Sequence, residues 1–488
     1  MRKIIFLLFI VLVSFQCKQK EMPGLLVPHG KFIEQISKDS DSFYFVDKKR
    51  ISAPDKRSAI GVFDSGIGGL TVFDAIINAD FFNKLHENKP DGLNDFHHEQ
   101  FLYLADQANM PYSNYVESGK GELLVEHILK DALFLLNNRY HLSPDSPEIF
   151  YDKPGIKALV IACNTATAYG KGHVEELYNY LGTGLKVIGV IDAGCKGALE
   201  VISPEEDATV AIFATPATVS SEAYVTTLNG LAQSRLGRIA IIQQGGKGLH
   251  ESIDNKPEFI NKHFSSPYKE YQGPSLRDEK YRIDKELFPY YNFNSSGSAI
   301  LFNGKNIEES DTIQLNSVEN YTRFHIVSLI EQIKEKGDNI PLKAIILGCT
   351  HYPYVSDIID EVFSELRQTD RYSALIGDSV YIIDPALNTA RELYRHLYEN
   401  NLFNSAGSDR LKTSRFYISV PNKFESSVQT EADGKRFRHE YQYFVRGINE
   451  LKNYTLQVPL SGEVISREQL DLIQQRLPLT YKLIMQQE

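Results

Sequence analysis

The chain has 488 residues, 42% of them hydrophobic and 11% aromatic, and its 63 acidic against 52 basic side chains leave a formal charge of -11. That length holds two or more domains with real cores, and the composition excludes disorder as the default state. The acidic balance argues against a nucleic-acid or anionic-membrane surface, because both need a basic face that displaces counterions.

The first twenty residues read as an export signal. Met1-Arg2-Lys3 is a short basic start, Ile4 to Val13 is an apolar run, and polarity resumes at Lys18 and Lys20. The run is too short for a stable bilayer anchor. Cys17 stands where a bacterial lipoprotein signal would end, and its acylation would fix the chain to an envelope membrane. Ser14-Phe15-Gln16 is bulkier than the usual lipobox, so simple secretion and a retained, uncleaved segment stand as alternatives, the last with a cytoplasmic protein. Residues 21–57 read as a polar tether. Cys163, Cys195 and Cys349 follow; three thiols make no disulfide framework, and no Cys or His spacing suggests zinc or another metal.

From residue 58 one grammar repeats: four to six apolar, often β-branched residues and then a small polar turn. It runs through "AIGVFDSG" (59–66), "FLYLAD" (101–106), "ALVIACNT" (158–165), "KVIGVIDAG" (186–194), "TVAIFATPAT" (209–218), "RIAIIQQGG" (238–246), "AIILGCTH" (344–351) and "YIIDPA" (381–386). Such runs suit strands covered on both faces, and the helical patterns between them, with Leu124, Ile128, Ala132 and Leu135 on one stripe and Phe324, Val327 and Ile330 on another, predict an α/β fold of mainly parallel sheets flanked by helices. "KALVIACNT" (157–165) returns as "KAIILGCTH" (343–351), so that Lys157, Ala158 and Cys163 recur as Lys343, Ala344 and Cys349. A unit used twice predicts two pseudo-symmetric domains with a site in the cleft between them, beyond the carboxyl ends of the strands. The expected division is 58–192 for the first domain, 193–374 for the second with a surface insertion at about 255–320, a return to the first over 375–420, and a C-terminal extension over 421–488.

A single cysteine after a strand is usually a small buried hydrophobe, which is the reading kept for Cys195. Two in matched contexts point to chemistry: stereoinversion at carbon needs a thiolate taking a proton on one side while a thiol delivers one on the other. Polar residues and backbone N–H groups after each cysteine can hold a carboxylate or a developing enolate. "VFDSGIGGL" (62–70) is a poor dinucleotide fingerprint, since no clear acidic residue follows at the end of a second strand. Ser65 is better read as a carboxylate ligand and Asp64 as a group that contacts the ammonium or poises Cys163, with helix capping the alternative for both. Asp192 alone reads as a cap; Thr215, Thr218 and Ser221 read as caps or ligand contacts; His351 is placed to polarise Cys349.

Together "DSGIGG", "ACNTATA", "GVIDAG", "TPATVSSEAY" and "LGCTHYP" resemble the glutamate racemase branch of the aspartate/glutamate racemase superfamily, and "DQANMPYS" and "IIDPALNTA" resemble two further segments of it. The resemblance covers roughly 58–255 and 322–400. It implies a cofactor-independent two-base racemase with glutamate as substrate, Cys163 and Cys349 as bases, and Asp64, Asp192 and His351 as their assistants. Ser65, Pro111, Tyr112, Ser113, Asn164, Thr165, Thr215 and Thr350 would line the substrate site. Such enzymes supply D-glutamate for peptidoglycan; aspartate, hydantoin or maleate-type chemistry, and a non-catalytic amino-acid-binding module, are the alternatives, and a homodimer is compatible with the resemblance. This chain departs from the pattern where Asp192 replaces Glu, Ser113 and Ala214 replace Gly, and "QQGGKGLHESID" (243–254) replaces a Cys-Pro segment.

Overall fold

The computed structural model describes residues 30–51, 53–404, 409–448 and 451–487; the expected signal with Cys17 lies outside them. The apolar runs are strands, and Ala59–Asp64, Phe101–Ala105, Ile156–Ile161 and Ala208–Ala214 are buried along their whole length, as strands sheathed on both faces must be. A six-stranded sheet runs in the order Thr455–Pro459, Arg415–Pro421, Phe101–Ala105, Ala59–Asp64, Ile156–Ile161, Lys186–Gly189, parallel except for its first strand. A four-stranded, all-parallel sheet runs Ile376–Ile383, Leu342–Gly348, Ala208–Ala214, Ile239–Gly245. The two cysteine strands are interior strands, each one place from an edge of its sheet.

Helices cover both faces of each sheet, giving two apolar layers per body. Gly121–Leu136 and Asn164–Leu181 fill one side of the first sheet, while Leu70–Ile77 and Pro385–Glu399 fill the other. Val318–Lys336 and Ser356–Arg367 cover one side of the second sheet, and Val190–Glu200 and Ala223–Ala232 the other. Val190–Glu200 also packs on Pro385–Glu399, which ties the bodies together.

Four parts of the expected division differ in the structure. The segment assigned as a tether is not one from residue 32 onward: Phe32, Ile36, Phe43, Tyr44 and Val46 are buried in the first core, where a tether would leave each in water at a cost of ~1.5–3 kcal/mol. The insertion is more than surface, because Ile260, Ile283, Tyr291 and the hairpin Ile300–Phe302/Ile313–Leu315 supply the second core. The return to the first body begins with the helix Pro385–Glu399, since Ile376–Ile383 hydrogen-bonds within the second sheet. The extension adds Thr455–Pro459 antiparallel to Arg415–Pro421 and seats the helices Arg467–Arg476 and Pro478–Met485 against Leu70–Ile77 through Ile473, Leu483 and Ile484. No helix of the described residues is long and apolar enough to cross a membrane.

Candidate active site

Lys157 and Lys343, the first residues of the repeat, lie at the far ends of their strands and pair with Glu99 and Glu206. The opposite, carboxyl ends carry the thiols. Ile156–Ile161 delivers Cys163 as the N-cap of the 18-residue helix Asn164–Leu181, where its sulfur accepts the Ala166 N–H at 3.4 Å and lies 3.7 Å from Ser65 Oγ. The helix start places partial positive charge at this point. Asp64 ends the neighbouring parallel strand, and the Gly69 N–H donates to its Oδ2 at 2.7 Å. A Cβ on Gly69 would come within 2.3 Å of Asp64 Cβ, so only glycine allows this approach. Burial raises the Asp64 carboxyl above the usual carboxylate range even though Gly69 and Cys163 hydrogen-bond to it. Burial, and then the charge of Asp64, push the Cys163 thiol up to about 12. Cys163 therefore rests as a thiol.

The second thiol has a different setting. Cys349 follows Leu342–Gly348, and His351 Nδ1 lies 3.9 Å from its sulfur and 3.4 Å from Thr350 Oγ1. His351 Nε2 lies 3.4 Å from Asp254 Oδ2, and the other Asp254 oxygen accepts from Arg476 at 3.1 Å. Burial lowers the His351 imidazolium, but hydrogen bonds and charge from Asp254 and Cys349 outweigh it and raise the group to about 10. Asp254 is raised by burial and brought below its usual range by His351 and Arg476. His250, its ring 5.7 Å from that of His351, is lowered to about 4 by burial and then by the His351 charge, and so stays neutral. An imidazolium beside Cys349 compensates negative charge on its sulfur.

Asn164 joins the two sides. Its Nδ2 donates to Gly348 O at 3.2 Å, and its Oδ1 accepts from Tyr224 OH at 2.9 Å. Two cavities open on it, each lined from both bodies. One, of about 180 Å³, takes in Ser113, Asn164, Thr165, Pro216 and Ser221. The other, of about 210 Å³, takes in Thr71, Asn164, Cys349, Thr350, Asp384 and Arg476. Cys163 and Cys349 are each only 8% exposed.

The structure thus gathers Asp64, Ser65 and Cys163 on one side, Cys349, Thr350 and His351 on the other, and Ser113, Asn164 and Thr165 at the seam. Thr215 caps the short helix Pro216–Ser220 and meets Thr218 Oγ1 at 3.0 Å. Pro111 is an exposed residue after a cis peptide. Tyr112 is buried, its hydroxyl 2.7 Å from both Asp106 and Asp131. Asp192 lies 3.4 Å from Lys171 at the start of Val190–Glu200, and the carboxylate that meets His351 is Asp254. Sequence reasoning missed Asp254 and Arg476; the only signal for the first was its place in the departing segment 243–254. Cys195 is fully buried among apolar neighbours. Among the described residues no group of three His, Cys, Asp or Glu is placed to hold a metal ion.

No protein-family model matches the chain. It is 26% identical over 372 residues to the glutamate racemase of Carboxydothermus hydrogenoformans, spanning 76% of this chain and 90% of that protein. It is 25% identical over 365 residues to the glutamate racemase of Stutzerimonas stutzeri, spanning 75% and 90%. Among solved structures, a glutamate racemase isoform from Bacillus anthracis is 21% identical with a TM-score of 0.43 over 74% of this chain and 89% of that one. About one residue in four is thus shared with proteins that carry the name glutamate racemase, over most of their length.

Proposed function

We propose that the chain is a cofactor-independent amino-acid racemase that interconverts L- and D-glutamate with Cys163 and Cys349 as its two bases. The observation that carries the reading is the placing of two thiols at the carboxyl ends of two interior parallel strands, joined across one seam by Asn164, with a carboxyl beside one and an imidazole beside the other. One sulfur, as thiolate, takes the α-hydrogen as a proton. The electron pair left on carbon delocalises into the α-carboxylate, and the other sulfur, as thiol, returns a proton to the opposite face. The first cysteine ends as thiol and the second as thiolate, so exchange with solvent resets the pair. The N-terminus of Asn164–Leu181, with Ser65 and Asn164, supplies donors for the carboxylate as its charge grows. Asp64 and His351 are the groups that relay protons to the thiols.

Glutamate as substrate rests on the "DSGIGG" and paired cysteine motifs and on the homologues that carry that name. The amino-terminal segment supports an envelope setting with Cys17 as the anchor, where D-glutamate would be supplied or scavenged for peptidoglycan; finding unacylated Cys17 in the mature membrane fraction would remove that anchor. The enzymatic reading is tested by proton NMR of the full chain, with reductant, on each glutamate enantiomer in deuterated water. Loss of the α-proton signal with matching racemisation, and no racemisation in Cys163→Ala or Cys349→Ala, is expected. Exchange with aspartate or another amino acid in place of glutamate would move the substrate, and binding without exchange of any would replace the enzyme with a binding module.

A further inference from the structure

The extension ends in a helical hairpin whose geometry is tightly specified. Ser466 and Gln469 form a reciprocal capping box at the start of Arg467–Arg476, and Pro478 opens the next helix. Ile473, Leu477, Leu483 and Ile484 are buried in the core that holds Leu70, Phe73 and Ile76 of the first body. Thr480 Oγ1 donates to Asp74 Oδ1 at 2.6 Å. The hairpin is therefore part of the first body, yet the last residue of its first helix reaches the second. Arg476 Nη1 donates to Asp254 Oδ1 at 3.1 Å and Nη2 to the Ile253 carbonyl at 3.1 Å, so the planar guanidinium grips one short stretch with two bonds. Its side chain is 23% exposed, it packs over the Tyr354 ring at 5.3 Å, and it lines the cavity that contains Cys349. An unbroken chain runs from Arg476 through Asp254 and His351 to the Cys349 sulfur.

We infer that the C-terminal extension completes the second half of the active site, with Arg476 as a positioning residue that fixes Asp254, and through it His351, against Cys349. This rests on the two-cysteine racemase reading. Among the described residues Arg476 makes no hydrogen bond to either sulfur, and the hydrogen bonds of Asp64 and Cys163 go to Gly69, Ser65 and Ala166 rather than to the extension. The consequence is an asymmetry that a merely structural role would not produce. The equilibrium constant of a racemisation is one, so the two net conversions must change together. Exchange of the α-hydrogen without inversion is free of that constraint, and each enantiomer's exchange reports the thiol that faces it.

The experiment measures α-hydrogen exchange in deuterated water for L- and D-glutamate separately, using the full chain with reductant. Cys349→Ala identifies the enantiomer whose exchange depends on Cys349. In Arg476→Met that exchange is expected to fall roughly tenfold, the effect of displacing a titrating partner by about one pK unit, while exchange of the other enantiomer stays within about twofold of the wild type. Arg476→Lys, which keeps the charge and gives up one of the two bonds, is expected to fall between. It carries the same comparison should the methionine variant fail to fold. Ser466→Ala loosens the same helix without touching the ion pair, and its two exchange rates are expected to change together. Equal slowing of both enantiomers in the Arg476 variants, or no change in either, overturns the inference. A wild-type chain that exchanges neither enantiomer of any amino acid overturns the racemase reading, and the inference with it.

Discussion

Replacing Asp254 by Asn tests the electrostatics of the second thiol directly. In the wild type His351 is raised from 6.5 to about 10, which corresponds to roughly 5 kcal/mol of preference for the imidazolium. Asp254 supplies part of that preference, so removing its charge is expected to cost ~2–3 kcal/mol, less than the ~3–5 kcal/mol of a fully buried pair because His351 and Asp254 are 23% and 26% exposed. The sign follows from linkage. A group whose folded pKa is raised adds stability that is complete below its unfolded value near 6.5, and that stability drains away as pH rises toward about 10. The deficit of Asp254→Asn should therefore be largest at pH 6 and shrink by ~2 kcal/mol by pH 9.5. What remains is the lost bond to Arg476, which does not titrate in that window. The chain has 27 tyrosines and no tryptophan, so far-UV circular dichroism in urea is the better probe. Racemase activity at pH 7 should drop roughly tenfold, because His351 keeps its proton there but is no longer fixed against Cys349. A stability deficit of the same size at pH 6 and 9.5 would refute the protonated His351 and the relay drawn from it.

Gly69→Ala should leave the backbone content unchanged, because Gly69 has ordinary helical angles (φ -66°), but its Cβ would meet Asp64 Cβ at 2.3 Å and force that side chain off the Gly69 N–H. Racemisation is expected to fall by at least about tenfold, the loss of one aligned acid/base partner, and wild-type rates in a folded variant would remove Asp64 from the mechanism. Asp131→Asn tests the buried cluster beneath Tyr112. One hydroxyl proton cannot serve two carboxylates at 2.7 Å each, so Asp131, held well above its usual range by burial and then by Asp106, keeps its proton. An acid with a raised folded pKa loses stability as pH climbs past its unfolded value, so the variant should gain on the wild type between pH 4 and 8. At pH 7 it should be at least as stable as the wild type, since the ionisation cost it escapes exceeds the ~1 kcal/mol of the lost hydrogen bond. A thermal-melting series in which it falls further behind as pH rises would sink this assignment.

The strands were legible because a strand covered on both faces must be apolar throughout, and such a run ending in a polar turn has few other readings. The repeat around Cys163 and Cys349 was legible for the same reason, since both thiols occupy the same step of the same unit. Asp254 and Arg476 were not. Each lies outside the repeat, and they meet across 222 residues of chain, so neither local period nor spacing could bring them together. Asp192 misled through local likeness: its place in "GVIDAG" says where the strand ends, whereas its side chain turns to Lys171 one helix away. The amino-terminal and C-terminal segments were underrated because their apolar residues are scattered among charges, and burial of Phe32 or Ile473 is decided by tertiary packing.

The two halves of the site are unequal in a way the repeat conceals. On one side burial dominates, and Cys163 is a thiol beside a carboxyl that is itself raised; on the other, a protonated imidazole held by Asp254 faces Cys349. A two-base racemase needs one thiol and one thiolate when substrate arrives, and unequal surroundings favour one of the two singly protonated states over the other. The surroundings differ accordingly: Cys163 holds its proton beside Asp64, and a charged imidazole faces the other sulfur. That division requires His351 to stay charged at neutral pH, and its nearest carboxylate comes from the segment 243–254 in which this chain departs from the family pattern.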